Sequence, residues 1–116
     1  MDNQSIRQCV KSVRWFSGSA VVDVQGDVDL SRSSEFQQSL LVVMDKKPER
    51  VVVNLAEVPY MDSSGVASLV KLLSRTKRQG VVLCLAALTD RVRGIFEITR
   101  LNDVFDIHAT VEEALS

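Results

Sequence analysis

The sequence is poor in the residues on which many functional sites depend. It has one histidine, His108, and two cysteines, Cys9 and Cys84, in a chain of 116 residues. Neither cysteine has a second Cys or His at ligand spacing, so we expect two reduced thiols, no disulfide and no metal site. His108 would have to serve any hydrolytic triad alone, and neither a Gly-x-Ser-x-Gly elbow nor a Walker-type loop is present. We therefore expect a protein that is not an enzyme and holds no cofactor.

Strong net charge and long apolar runs are also missing. The formal net charge is −1, which creates no positive field that would attract nucleic acid. No apolar run approaches the roughly 20 residues of a membrane-spanning helix, and Met1–Ser5 lacks the basic start and apolar core of a secretion signal. With 46% hydrophobic and 25% charged residues, the composition is typical of a globular domain. We expect one cytoplasmic domain over residues 1–116, with a core of about 6–115, that contacts neither membrane nor nucleic acid.

Hydrophobic periodicity predicts an α/β domain with the element order ββαβαβαβα. A hairpin turning at Ser17-Gly18-Ser19 would make the first strand antiparallel, and helical crossovers would make the remaining strands of the mixed sheet largely parallel. The predicted strands are 6–16, 20–25, 51–55, 81–88 and 105–107. The four predicted helices start after the N-caps Ser31, Asp62, Thr89 and Thr110, and the second and third end at about Arg78 and Leu101.

This topology brings three polar segments together. Strands two, three and four run the same way, so the segments that follow them, 26–29, 62–64 and 88–90, lie on one edge of the sheet. Open α/β sheets bind ligands at such an edge. The sequence therefore predicts a functional surface there.

The central segment of that edge, Asp62-Ser63-Ser64-Gly65, allows two interpretations. In one, Asp62 caps the second helix and the small residues after it merely suit a first turn. In the other, Ser63 accepts a phosphoryl group, which the positive end of a helix favours. A phosphoserine would add about −1.5 to −2 charges, and a partner that fitted the unmodified edge would be repelled.

The flanking charged residues also allow two interpretations. Lys71, Arg75 and Arg78 fall on one helical stripe with Ser64 and Ser68, which is either a solvated surface or a docking face that begins at Ser63.

The acidic segment at the same edge also allows two interpretations, a turn or a metal site. Asp27 and Asp29, in Gly-Asp-x-Asp, are typical of a turn and less so of a metal site, because hard cations usually take several converging oxygens.

Four motifs in order resemble the STAS domain family: Gly26-Asp27-Val28-Asp29, Tyr60 to Gly65, Lys77 to Gly80, and Arg91 to Leu101 ahead of Phe105-Asp106-Ile107. The resemblance covers about Val13 to Leu115 and is strongest to the single-domain anti-sigma factor antagonists of bacteria. Two positions depart from the family pattern. Arg100 stands where a glycine is common, which affects the local turn, and Gln79 replaces a second glycine.

The resemblance implies partner switching. In that family the unphosphorylated antagonist binds an anti-sigma factor, a serine kinase of the GHKL ATPase fold, and so frees the sigma factor. The kinase phosphorylates the serine after the Asp of the motif, here Ser63, and a PP2C-type phosphatase restores the binding form. The partner surface would then comprise Asp27, Asp29, Asp62, Ser64, Gly65, Ser68, Lys71, Arg75 and Thr89.

Two other functions remain open from the sequence. One is a STAS accessory or scaffold protein of a transport, stress or other signalling complex, in which Ser63 is never modified. The other is a receiver-like domain phosphorylated on Asp62 by a small phosphodonor. Such a domain needs acidic residues after strand one and a Lys after strand five, where this chain has Ser17-Gly18 and His108-Ala109.

Overall fold

The computed structural model describes residues 8–116. Five strands and four helices follow one another in the predicted order ββαβαβαβα. The strands are β1 (Val10–Phe16), β2 (Ser19–Gln25), β3 (Arg50–Glu57), β4 (Val82–Ala86) and β5 (Asp106–His108), and the helices are α1 (Ser33–Asp45), α2 (Ser63–Gln79), α3 (Asp90–Ile98) and α4 (Val111–Leu115). The predicted start of the first strand near Ile6 lies outside the described residues.

The five strands form one mixed sheet in the order β1-β2-β3-β4-β5. β1 pairs antiparallel with β2 across a turn at Ser17 and Gly18, and the other three pairings are parallel. This confirms the predicted α/β fold class. Because the chain steps along the sheet in one direction and right-handed crossovers are strongly preferred, the crossover helices lie on one face.

The main core lies on that face. Alternate strand residues such as Val22, Val53 and Leu85 are fully buried against α1, α2 and α3, whose contributions include Phe36, Leu40, Leu69, Leu72, Val92 and Phe96. The intervening residues point to the opposite face, as the two-residue period of a strand requires.

The opposite face has a smaller core. Val21, Val52, Cys84 and Ala86 are covered there by Ala114 of α4. Helix α4 starts at the predicted N-cap, since Thr110 Oγ1 accepts from the Glu113 amide at 3.1 Å. The guanidinium of Arg50 donates to the carbonyl of Ala114, which ties the short helix to β3.

Several predicted boundaries are wrong, each for a local reason. Ser31 does not cap α1, because its hydroxyl donates to Asp29 Oδ1 at 2.7 Å and the helix begins at Ser33, behind Arg32. β4 is shorter than 81–88, because Ala87 has a left-handed φ of 59°.

Helix α3 also ends early, at Ile98 rather than near Leu101. Arg100 adopts a left-handed φ of 62°, and Leu101–Asp103 form a separate 3-10 turn. A non-glycine residue pays a steric cost in this conformation. The departure from the family's usual glycine at this position therefore coincides with a strained turn.

Within residues 8–116, the helices are too short or too polar to cross a lipid bilayer.

Candidate functional site

Asp62 organises the start of α2, as its position before Ser63-Ser64-Gly65 predicts. Its Oδ1 accepts from the amides of Ser64 at 2.9 Å and Gly65 at 3.4 Å, and from the Ser64 hydroxyl at 2.5 Å. These bonds satisfy amides that have no partner within the helix. The helix consequently begins at Ser63, three residues before the apolar stripe that starts at Val66.

The second oxygen of the same carboxylate holds the loop that follows β2. Asp62 Oδ2 accepts from the Leu30 amide at 3.1 Å. The backbone continues this attachment, since the Val28 amide donates to the Tyr60 carbonyl at 3.0 Å and the Asp62 amide donates to the Val28 carbonyl at 3.2 Å. The loop after β2 and the start of α2 are therefore one connected structure.

Gly65 allows this close approach. A Cβ placed on Gly65 would lie 2.7 Å from both the Val28 carbonyl oxygen and Met61 Cγ. Both distances are shorter than a van der Waals contact, and the carbonyl belongs to a backbone held by its own hydrogen bonds. Gly65 is buried, so its role at this edge is to admit the Val28 backbone.

The carboxyl group of Asp62 is held in its charged form. The hydrogen bond from the Ser64 hydroxyl lowers the pKa of Asp62 most. Desolvation, the second-largest effect, opposes it, and the amides of Ser64, Gly65 and Leu30 lower the pKa further. A carboxylate that accepts several donors is expected to behave in this way. The site therefore carries a fixed negative charge next to Ser63.

Ser63 and Ser64 occupy different environments. Ser63 is exposed in the first turn of α2, and its hydroxyl has no hydrogen-bond partner within residues 8–116. The Ser64 hydroxyl is half-buried and donates to Asp62. Of the two serines, Ser63 alone presents an accessible, unengaged oxygen.

The other segments predicted at this edge are also found there. Asp27 is exposed, whereas Asp29 is half-buried and its Oδ1 accepts from the Ser31 amide at 3.1 Å. Thr89 is the N-cap residue of α3, but its hydroxyl does not cap the helix. It donates to the Val58 carbonyl at 2.8 Å and so joins the loop after β4 to the end of β3.

The predicted stripe along α2 does not form one exposed face. Ser68 is 3% exposed, and its hydroxyl donates to the carbonyls of Ser64 at 3.1 Å and of Ser33, in α1, at 3.5 Å. Arg75 is half-buried, with Nη2 3.7 Å from Oδ1 of Asp45, the last residue of α1. Lys71 is exposed. The stripe thus faces the α1–α2 contact, and only its outer side chains reach solvent.

The structure adds two apolar residues to this edge that the sequence did not predict as members of the site. Leu30 is 77% exposed although its amide is fixed by Asp62, and Tyr60 is partly exposed just before the α2 cap. The sequence contains one indication of this for Leu30, which lies between Asp29 and the start of α1 and fits neither a helical nor a strand period. Protein-binding surfaces combine apolar contacts with a polar rim, so both side chains suit such a surface.

Potential metal ligands meet elsewhere in the molecule. Within residues 8–116, the group of three or more such ligands consists of Cys84, Asp106 and His108. It does not include Asp27 or Asp29. The expectation that Cys84 stands apart from other ligands is therefore wrong, because β4 and β5 bring together residues that are 22 positions apart.

Comparison with known proteins gives a consistent result. The family model described as the STAS domain matches residues 11–114. The anti-sigma-B factor antagonist of Bacillus subtilis is 31% identical over 91 residues, which cover 78% of this chain and 83% of that protein.

Solved structures share the fold. An anti-sigma factor antagonist from Mycobacterium paratuberculosis superposes with a TM-score of 0.83 at 23% identity, covering 90% of this chain and 88% of the other. The Bacillus cell fate determinant SpoIIAA in its phosphorylated form superposes with a TM-score of 0.69 at 18% identity, covering 90% and 95% of the two chains.

Proposed function

The chain belongs to the STAS domain family, and from that premise we propose that it is an anti-sigma factor antagonist. It would have no catalytic activity of its own and would act in the cytoplasm by capturing an anti-sigma factor, which frees the sigma factor. Its relative in Bacillus subtilis carries this functional name. The observation that carries the proposal is the exposed, unengaged hydroxyl of Ser63 at the amino end of α2.

We propose that phosphorylation of Ser63 switches this binding off. A phosphate in the first turn of a helix is favoured by the helix dipole and by the unpaired amides, so the modification need not disturb the fold. It would add about −1.5 to −2 charges to an edge that already bears the carboxylates of Asp62 and Asp29. A like-charged or closely fitted partner would then be repelled.

The proposed partners are those that the family resemblance implies. The anti-sigma factor would be a serine kinase of the GHKL ATPase fold that phosphorylates Ser63, and a PP2C-type phosphatase would reverse the modification. SpoIIAA, which shares the fold, has been solved in a phosphorylated form. The proposal extends that chemistry to this chain.

The docking surface would be the exposed part of the carboxyl edge. Asp27, Leu30 and Tyr60 surround the start of α2, and Lys71 extends the surface along that helix. The buried members of the predicted set, Gly65 and Ser68, would support this surface from beneath rather than contact the partner. Asp62 and Thr89 would hold its three loops in place.

The receiver-like alternative has less support. Both oxygens of Asp62 accept hydrogen bonds, and they are engaged in capping α2 and in holding the loop after β2. The accessory or scaffold alternative predicts that Ser63 is never phosphorylated. The experiment below separates it from the proposal.

The test uses the purified protein and the GHKL-type anti-sigma factors encoded in the same genome. With ATP and Mg²⁺, we expect one such kinase to add a single phosphate, mapped to Ser63 by mass spectrometry and absent from Ser63→Ala. Calorimetry should show wild-type affinity for Ser63→Ala and a loss of at least about tenfold for Ser63→Asp.

Ser74→Asp is the matched control. It places the same charge on an exposed position of the same helix, away from its amino end, and should leave the affinity unchanged. The proposal fails if no kinase modifies Ser63, or if Ser63→Asp and Ser74→Asp bind the kinase equally well.

A further inference from the structure

Cys84, Asp106 and His108 lie together on the sheet face that carries α4, away from the crossover helices. β4 and β5 are parallel, with Cys84 paired with Asp106 and Ala86 paired with His108. Asp106 and His108 are two residues apart in β5 and so point to the same face. Cross-strand neighbours on one face lie within side-chain reach, which brings a thiol, a carboxylate and an imidazole together.

The distances between these groups are short. Cys84 Sγ lies 3.4 Å from Asp106 Oδ2, and His108 Nε2 lies 3.0 Å from Asp106 Oδ1. One ligand atom from each of the three residues can be chosen so that all lie within 4.8 Å of one another. Donor atoms around a tetrahedral zinc ion are separated by about 3.3–3.7 Å, given Zn–ligand bonds of about 2.0–2.3 Å. Small rotations of the Asp106 and His108 side chains would bring the set to this spacing.

We propose that Cys84, Asp106 and His108 bind a divalent transition-metal ion of the zinc class. Sulfur, nitrogen and oxygen donors together suit a borderline-soft ion such as Zn²⁺ better than Mg²⁺ or Ca²⁺, which prefer oxygen alone. Cys84 would anchor the site from the interior, while Asp106 is exposed and His108 half-buried. The fourth position would be filled by water from the open side.

Binding replaces a proton with the metal. The thiol of Cys84 loses its proton to solvent and a metal–sulfur bond forms, with the carboxylate and neutral imidazole completing the protein ligands. Affinity should therefore increase with pH.

Co²⁺ is the probe for the test, because a thiolate ligand gives it a charge-transfer absorption band. Wild-type protein, reduced with a non-chelating phosphine, should develop this band with a stoichiometry of one, and Zn²⁺ should displace the Co²⁺. Cys84→Ser should abolish the band. His108→Gln and Asp106→Asn should weaken Co²⁺ binding by more than about tenfold, as loss of even an outer partner can.

Cys9→Ser is the matched control, because Cys9 is the other buried cysteine and lies outside the cluster. It should retain the band and the affinity. Circular dichroism identifies any variant that fails to fold, and the variants at Asp106 and His108 then still test the site. The proposal is overturned if the wild-type protein shows no band in excess Co²⁺, if the band survives in Cys84→Ser, or if His108→Gln binds as tightly as wild type.

Discussion

Replacing Gly65 with alanine tests whether the loop after β2 is held rigidly against α2. The new Cβ would lie 2.7 Å from the Val28 carbonyl oxygen and 2.9 Å from Val28 Cγ1. Relief requires the loop to move, because that carbonyl accepts from the Asp62 amide and the Val28 amide is bonded to Tyr60. Overpacking of this kind costs about 1–3 kcal/mol.

The helix itself would favour the substitution. Alanine is preferred to glycine inside a helix by up to about 1 kcal/mol. Subtracting this preference from the overpacking cost leaves an expected net loss of about 0–2 kcal/mol for Gly65→Ala. Gly94 in α3 provides the control, because a Cβ there would meet nothing within 4 Å. Gly94→Ala should gain about 0.5–1 kcal/mol by the same preference.

Urea denaturation at constant m-value measures both free energies of unfolding. The amide resonances of Val28 and Leu30 give a second readout, since they should shift in Gly65→Ala and stay unchanged in Gly94→Ala. If Gly65→Ala gained as much stability as Gly94→Ala, the loop would be yielding without cost and the reasoning would be refuted.

Four further predictions concern single side chains. Ser63→Asp should raise stability by about 0.3–1 kcal/mol, because an acidic group suits the first turn of a helix, whereas Ser68→Asp should cost about 3–5 kcal/mol by burying an unpaired charge; equal effects in urea would contradict the assigned burial. The pKa of Asp62 is lowered, mainly by a hydroxyl hydrogen bond, so its contribution to stability is present above the unfolded pKa of about 3.9 and is lost as the pH falls through the folded value. Asp62→Asn should accordingly lose less stability than wild type on acidification, and parallel pH curves would count against this. Burial raises the pKa of Cys84 to about 11, so iodoacetamide at neutral pH should modify the native thiol slowly; rapid native labelling would show that the thiol is accessible. Arg100→Gly should raise the free energy of unfolding by about 0.5 kcal/mol, because it relieves left-handed backbone strain. A lower Tm would contradict this and would mean that the arginine side chain stabilises the fold by more than the strain destabilises it.

The sequence was sufficient to predict the topology because the signals were local. When predicted strands alternate with predicted helices, few sheet topologies are possible. The position of segments 26–29, 62–64 and 88–90 at one edge of the sheet then follows from the direction of the strands alone. Asp62 was also readable, since a helix needs an acceptor at its start. The prediction that Ser31 caps α1 was wrong because its hydroxyl donates to Asp29 instead. A serine at this position can serve either a turn or a helix cap, and the residue type alone does not decide between them.

The hydrophobic pattern of the sequence did not predict how the helices and strands pack against one another. Ser68 is polar yet buried, because it satisfies its hydroxyl on carbonyls of its own helix and of α1. The neighbours of Cys84 depend on the register between β4 and β5, which no local motif encodes. Gly65 has to be a glycine because the backbone of Val28, more than 30 positions earlier, lies against it. This requirement can be recognised only in the three-dimensional structure.

One carboxylate, that of Asp62, fixes both a helix start and the neighbouring loop. A surface held in this way has its binding conformation before a partner arrives, so little conformational entropy is lost when another molecule covers it. Recognition there should resemble the docking of rigid bodies. The Leu30 side chain, projecting from a fixed amide, would reach an incoming surface without first having to be ordered.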